Sequence, residues 1–229
     1  MKRNIFVFVL IVGFAFSVFG QNASDFEYTE DNGKITITGY NGSEKNVKIP
    51  NTINSMPVIA IGERAFISKQ LTGLTLPAGI TTIEERAFRN NQLTSVVFPD
   101  SITTIGSSAF RNNKLTDVTL PNGLTVIKAE AFRNNQLTSI IIPNGVTTIE
   151  GVAFTDNKLT SVTLPNTLLY IRFSAFSNNQ LTDITLPNGL NTIDENAFKN
   201  NQITSAVVPN TVKKLNVKAF DPSVEITRR

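Results

Sequence analysis

The side chains able to do chemistry in this sequence are few in kind. Its 229 residues include no His, no Cys and no Trp, which excludes Ser-His-Asp and Cys-His nucleophile systems and the usual zinc ligand sets. Carboxylates and guanidiniums remain, spaced by multiples of 22 residues: Asp117 and Asp183; Arg89, Arg111 and Arg133; and the run Glu84, Gly106, Lys128, Glu150, Arg172, Asp194. If each 22 residues form one coil of a stack, equivalent residues step along it by about 4.8 Å. Asp117 and Asp183 then stand three coils apart, roughly 14 Å, beyond the ~5–9.5 Å of paired glycosidase carboxylates. They cannot act as an acid/base couple. The three arginines stack like charges, open either to solvent or to an anionic glycan or acidic protein patch. In the third row the signs alternate from Lys128 onward, as expected of ion pairs that fix register at about 0–1 kcal/mol each. The sequence points to a non-enzymatic protein that uses no metal and no cofactor.

What must position these rows is the repeat itself. The Ala-Phe pair recurs at Phe66, Phe88, Phe110, Phe132, Phe154, Phe176, Phe198 and Phe220, and a proline keeps the same step from Pro77 to Pro209. A fixed period in the range of 20–50 residues marks a solenoid. Within one coil, Leu93-x-x-Val96-x-Phe98 alternates as a short strand does, and Pro99, which has no N–H, ends it. Ile102 and Ile105 mark a second extended piece. Glu85 to Asn90 is expected to make one helical turn carrying Phe88. The Phe row is expected to be a core spine, and the row Asn91, Asn113, Asn135, Asn157, Asn179, Asn201 a buried amide ladder that satisfies turn backbone groups. A single coil buries too little to offset the entropy of ordering it, so stability must come from neighbours.

The ends depart from the repeat. Residues 1–20 carry Lys2 and Arg3, an apolar run from Ile5 to Phe19, and Val18-Phe19-Gly20, which reads as a signal peptide cut before Gln21. The run is shorter than the ~20 residues of a spanning helix, so the mature chain is expected to have no integral membrane segment. Removing two of 21 basic residues leaves 19 against 18 acidic ones, a near-neutral balance that excludes nucleic acid as a partner. Residues 21–45 centre on Asp31-Asn32-Gly33, a strong hairpin signal, and are expected to cap the first coil. Residues 46–69 form an irregular first repeat whose extra residues, around Asn54-Ser55-Met56-Pro57, should bulge as a loop. Regular repeats occupy 70–212. Residues 213–229 form a C-terminal cap in which Val224-x-Ile226 adds a last strand.

The strings Leu-Thr-Ser-Val-Thr-Leu-Pro-Asn (159–166) and Thr-Thr-Ile-Glu-Glu-Arg-Ala-Phe (81–88), with the entry Ile-Pro-x-x-Ile-Asn-x-x-Pro-Val (49–58), resemble the leucine-rich repeats of BspA-like bacterial surface proteins. The resemblance covers nearly all of residues 25–222. One departure is Asn-Asn-Gln/Lys, as at 90–92, where many relatives place a cysteine. The resemblance implies a secreted or surface protein of a family associated with adhesion to host proteins and other cells, without catalytic residues.

Together these features predict a β-rich leucine-rich-repeat solenoid with short helical turns, a parallel sheet on one face and an N-terminal β-hairpin cap. Its role would be to bind a protein partner, an extracellular-matrix or cell-surface protein; the alternative is a structural periplasmic or envelope scaffold with no external ligand. Two candidate contact surfaces stand out besides the arginine row. One is the outward side of the strand row, with Thr119, Ile141, Thr163 and Thr185. The other is Leu168-Leu169-Tyr170-Ile171-Arg172-Phe173-Ser174, where Tyr170 replaces a Thr and Phe173 replaces Glu85 or Ser107 of other coils. Aromatic residues beside an Arg are the types that dominate binding energy.

Overall fold

The computed structural model describes residues 22–229; the expected signal peptide, residues 1–20, lies outside the described residues. The chain winds into a β-solenoid in which each coil lies on the one before. The Phe side chains form a continuous spine: from Phe66 to Phe220 successive rings stack with centroids 5.0–5.8 Å apart and planes 4–18° from parallel. The alanine before each Phe is buried too.

Each Phe sits in a turn. The expected helical turn from Glu85 to Asn90 is instead a pair of tight turns, closed by Ala87 N–H to Glu84 C=O (3.3 Å) and Arg89 N–H to Arg86 C=O (3.1 Å). The amides between them point out of the coil. Arg86, Phe88 and Asn90 donate to the carbonyls of Ser107, Ala109 and Arg111 in the next coil, at 2.9 Å each. Left-handed residues make this alternation possible: Arg86 has φ 56° and Asn90 φ 60°, and both positions repeat the value through the stack. Among the described residues the helical content is one 3-10 segment, Ala23–Asp25.

Two parallel ladders flank the spine. The more continuous is the short Thr-Ile piece: Thr82–Ile83 pairs with Thr104–Ile105, and Val126–Ile127 begins a run through Thr148–Ile149, Tyr170–Ile171, Thr192–Ile193 and Lys214–Leu215. The strand before each proline pairs only in separate steps, as in Asn46–Lys48 with Gly73–Thr75 and Ser139–Ile141 with Ser161–Thr163. Repeat proline accounts for part of this, since it ends each strand without a donor for the ladder.

The N-terminal hairpin joins Phe26–Asp31 to Lys34–Tyr40 through Asn32 (φ 50°) and Gly33 (φ 71°), the left-handed pair that a two-residue hairpin turn requires. Its second strand continues the Thr-Ile ladder by pairing with Met56–Ile61. Phe26 and Tyr40 close the spine, with Tyr40 stacked 5.5 Å from Phe66. The extra residues of the first repeat do not bulge loosely. They form a second tight hairpin, Thr52–Ile53 with Met56–Pro57, turning through Asn54 and Ser55 at positive φ. At the other end Glu225–Arg228 adds a parallel strand to Ser205–Val208.

Candidate functional site

Most polar rows are occupied within the stack. Asn135 shows the pattern: its Oδ1 accepts from Leu115 N–H (3.1 Å), and its Nδ2 donates to the carbonyls of Phe110 and Phe132 (3.0 Å each). Asn91, Asn113, Asn157, Asn179 and Asn201 repeat it. These amides tie coils together and present nothing to a partner. A second, exposed row lies one residue earlier: Asn112 Nδ2 donates to Asn90 Oδ1 (2.7 Å), Asn134 to Asn112 (3.0 Å), Asn178 to Asp156 (2.7 Å) and Asn200 to Asn178 (2.7 Å). Sequence reasoning missed this row. The signal was present, since Asn tolerates left-handed φ better than other side-chain-bearing residues.

The charged rows are also internal in part. Arg111 and Arg133 both turn to Glu130, with N···O distances of 2.5 and 3.0 Å, and Arg133 Nε also reaches Asp156 at 3.3 Å. Ser108 Oγ donates to the same carboxylate at 2.8 Å. Burial acts to raise the Glu130 pKa, but the Ser108 hydroxyl and the Arg133 and Arg111 guanidiniums outweigh it and hold the carboxyl below its ordinary value. So Arg111 and Arg133 are not free cations for an anionic ligand, while Arg89 has no carboxylate partner among the described residues. The alternating row pairs Lys128 with Glu150 (3.3 Å) and Arg172 with Asp194 (3.4 Å), and Lys214 joins Asp194 (3.4 Å); no ion pair joins Glu150 to Arg172.

The outward side of the strand row is exposed at Thr119, Ile141, Thr163 and Thr185, as at Asp117 and Asp183. Val97 at 83% and Ile141 at 70% exposure are its apolar points. Where Asp117–Thr119 and Ser139–Ile141 are not paired, a shallow cleft of about 220 Å³ opens, lined by residues that include Asp117, Thr119, Asn122, Ile141 and Pro143. A smaller one of about 120 Å³ marks the break in the other ladder, beside Thr103, Ile105, Thr125 and Lys128. Among the described residues no cluster of three His, Cys, Asp or Glu side chains could hold a metal ion.

Leu169 to Phe173 is different in composition, on a backbone held as in neighbouring coils. Tyr170–Ile171 is paired on both sides, to Thr148–Ile149 and Thr192–Ile193. Leu169 and Tyr170 both donate to Thr147 C=O, and Arg172 N–H donates to Ile149 C=O. The Arg172 guanidinium lies 4.5 Å from the Tyr170 ring centroid, a cation–π contact that, with Asp194, fixes its direction. Phe173 sits beyond them in the turn, 49% exposed, and Leu169 is 38% exposed. Tyr170 borders the Arg172 head group, and with the exposed Leu169 and Phe173 it leaves a mixed apolar and cationic surface.

A ring-stacked spine, one coil per 22 residues, parallel ladders and a capped end define a leucine-rich-repeat solenoid. Six copies of the BspA-type leucine-rich repeat region match over residues 37–158 and 103–227, and the chain belongs to that family. Among solved structures, a leucine-rich repeat protein of Bacteroides ovatus is 23% identical with a TM-score of 0.69, over 89% of this chain and 66% of that one. This chain therefore spans just under two thirds of that protein's length. The T. pallidum leucine-rich repeat protein is 25% identical with a TM-score of 0.64, over 82% of this chain and 86% of that one. A leucine-rich cell surface protein of Faecalibacterium prausnitzii is 18% identical with a TM-score of 0.50, over 92% and 95% respectively. No curated protein sequence matches this chain. Among the described residues no helix is long and apolar enough to cross a membrane.

Proposed function

We propose that this protein is an exported, non-enzymatic binding module that attaches to an extracellular-matrix or cell-surface protein of a host or neighbouring cell. Leucine-rich repeats of this family serve as protein-interaction scaffolds, and a structural neighbour is described as a cell surface protein. The observation that carries the reading is the surface from Leu169 to Phe173. It combines exposed apolar side chains with an oriented Arg on a strand bonded along both edges. Such a surface loses little conformational entropy on docking, and its residue types are those of binding hot spots. The test is capture of surface and matrix proteins by the wild-type protein and by a Tyr170→Ala/Phe173→Ala variant. The variant keeps the fold and loses the specific partner; equal capture by both removes this site.

The second reading is an envelope scaffold without an external ligand. The amide rows favour it, because they spend two columns of asparagine side chains on contacts between coils. Protease added to intact cells separates the two: a protected protein is the scaffold, and a cleaved one is displayed.

A further inference from the structure

The two ends of the stack carry opposite charge. Residues 22–45 hold five acidic side chains against two basic ones, and residues 213–229 hold five basic against two acidic, a balance of −3 facing +3. Each end is also an open sheet edge, the first of the sheet that runs from Phe26–Asp31 to Thr104–Ile105 and the second of the sheet that runs from Val126–Ile127 to Lys214–Leu215. Among the described residues Phe26–Asp31 pairs only with Lys34–Tyr40, and Lys214–Leu215 pairs only with Thr192–Ile193. Glu27, Glu30 and Asp31 lie on the first edge strand, exposed and, among the described residues, without an ion pair, though Glu27 accepts from Asn41 Nδ2 at 2.8 Å. Lys213 beside the second edge is exposed and has no carboxylate partner among the described residues. Lys214 and Lys218 reach back to Asp194 and Glu195 at 3.4 and 3.3 Å, yet their side chains stay 69% exposed. The basic end also presents Val217, 96% exposed.

We infer that copies of this chain associate head to tail, the acidic Phe26–Asp31 edge of one docking antiparallel against the basic Lys214–Leu215 edge of the next. Direction follows from the ladder. Phe26–Asp31 runs against Lys34–Tyr40, which is parallel to the coil strands, so in a neighbouring copy it would meet Lys214–Leu215 in antiparallel register. Unpaired edge strands are templates for strand addition. Charge of opposite sign sets which edge meets which, and disfavours head-to-head and tail-to-tail contacts by like-charge repulsion. Because the two surfaces differ, the contact is heterologous: it extends into an open row unless the rotation closes a ring. A row of this kind would multiply the Leu169–Phe173 surface, but the association does not depend on that surface binding anything.

The experiment is sedimentation velocity of the purified protein over a range of concentrations at low and high salt. It is repeated for an acidic-end reversal, Glu27→Lys/Glu30→Lys/Asp31→Lys, and a basic-end reversal, Lys213→Glu/Lys214→Glu/Lys218→Glu, with circular dichroism confirming that each folds. The wild type is expected to grow in mass with concentration and to dissociate as salt rises. Either reversal should weaken association by about tenfold or more, and an equimolar mixture of the two should restore it, because the untouched acidic end of one meets the untouched basic end of the other. A wild type that stays monomeric at low salt overturns the inference. So does association that ignores salt and both reversals, which would mark a purely apolar contact, or a mixture that fails to reassociate.

Discussion

Replacing Asn135 by Ala tests whether the buried amide row holds the coils together. The structure sets the size of the effect. Leu115 N–H has Asn135 Oδ1 as its acceptor and would be left buried and unpaired, costing about 1–3 kcal/mol. The carbonyls of Phe110 and Phe132 would each lose one donor but keep another, from Asn113 and Asn157 respectively. Those two losses add about 0.5–1.5 kcal/mol each. The sum is about 2–6 kcal/mol, large for a polar-to-alanine change. Urea unfolding followed by circular dichroism measures it, with the denaturant slope checked because repeat arrays can unfold in parts. Asn112→Gly is the control: it removes two links of the exposed row while keeping the left-handed backbone tolerable, and should stay within about 1 kcal/mol. If Asn135→Ala costs under about 1 kcal/mol, or no more than the control, the buried row is not what couples the coils.

Three further outcomes follow from the same geometry. Phe132→Ala, between Phe110 and Phe154 in the spine and fully buried, should destabilise by about 3–5 kcal/mol in the same assay; under 1 kcal/mol would mean the spine is not a core. Glu130→Gln should cost about 1–2 kcal/mol at neutral pH, and the cost should shrink in acid. The wild-type carboxyl titrates lower folded than unfolded, so its contribution is complete above the unfolded pKa and is lost as pH falls through the depressed folded value; unfolding curves from pH 7 down to the acid range check this. Val152→Asn should stabilise by about 1 kcal/mol, read as a higher urea midpoint, because Val152 is a β-branched residue held at φ 63°. A lower midpoint would show that Val152 packing outweighs the backbone strain.

The parts legible in the sequence were those where one coil repeats the next. Phe132 is stacked because Phe110 and Phe154 are Phe as well, and Asn135 is bridged because its neighbours are also Asn. Asp31-Asn32-Gly33 announced the hairpin through its turn chemistry alone. What stayed hidden depends on residues that occur once. Arg111 and Arg133 looked like a cationic row because Glu130 stands in a column otherwise filled by Arg64, Arg86, Ser108, Val152, Ser174 and Asn196. The tight turns around Phe88 read as helix in the sequence because a β-turn and a turn of 3-10 helix share the same i to i+3 hydrogen bond. What separates them is the φ of Arg86, which no property of an arginine signals. Likewise a strand pattern of Leu93, Val96 and Phe98 shows which side chains go inward, but not that the Thr-Ile piece would carry the longer ladder.

The division between fixed and free positions bears on where recognition can evolve. From Leu168 to Phe173, the inward residues Leu168 and Ile171 are fully buried, like Leu124 and Ile127 or Leu190 and Ile193 in other coils. Only the outward positions, Leu169, Tyr170, Arg172 and Phe173, depart from the pattern. Changing them leaves the spine, the amide row and the ladder hydrogen bonds intact, so the coil can take on a new surface at little cost in stability. Surface substitutions away from buried groups cost within about 0.5 kcal/mol, whereas one in the spine or the buried amide row costs several. A stack built this way separates folding from binding by position within the coil. The stretch where outward residues differ most while inward ones do not is therefore where a partner's contacts should be sought first.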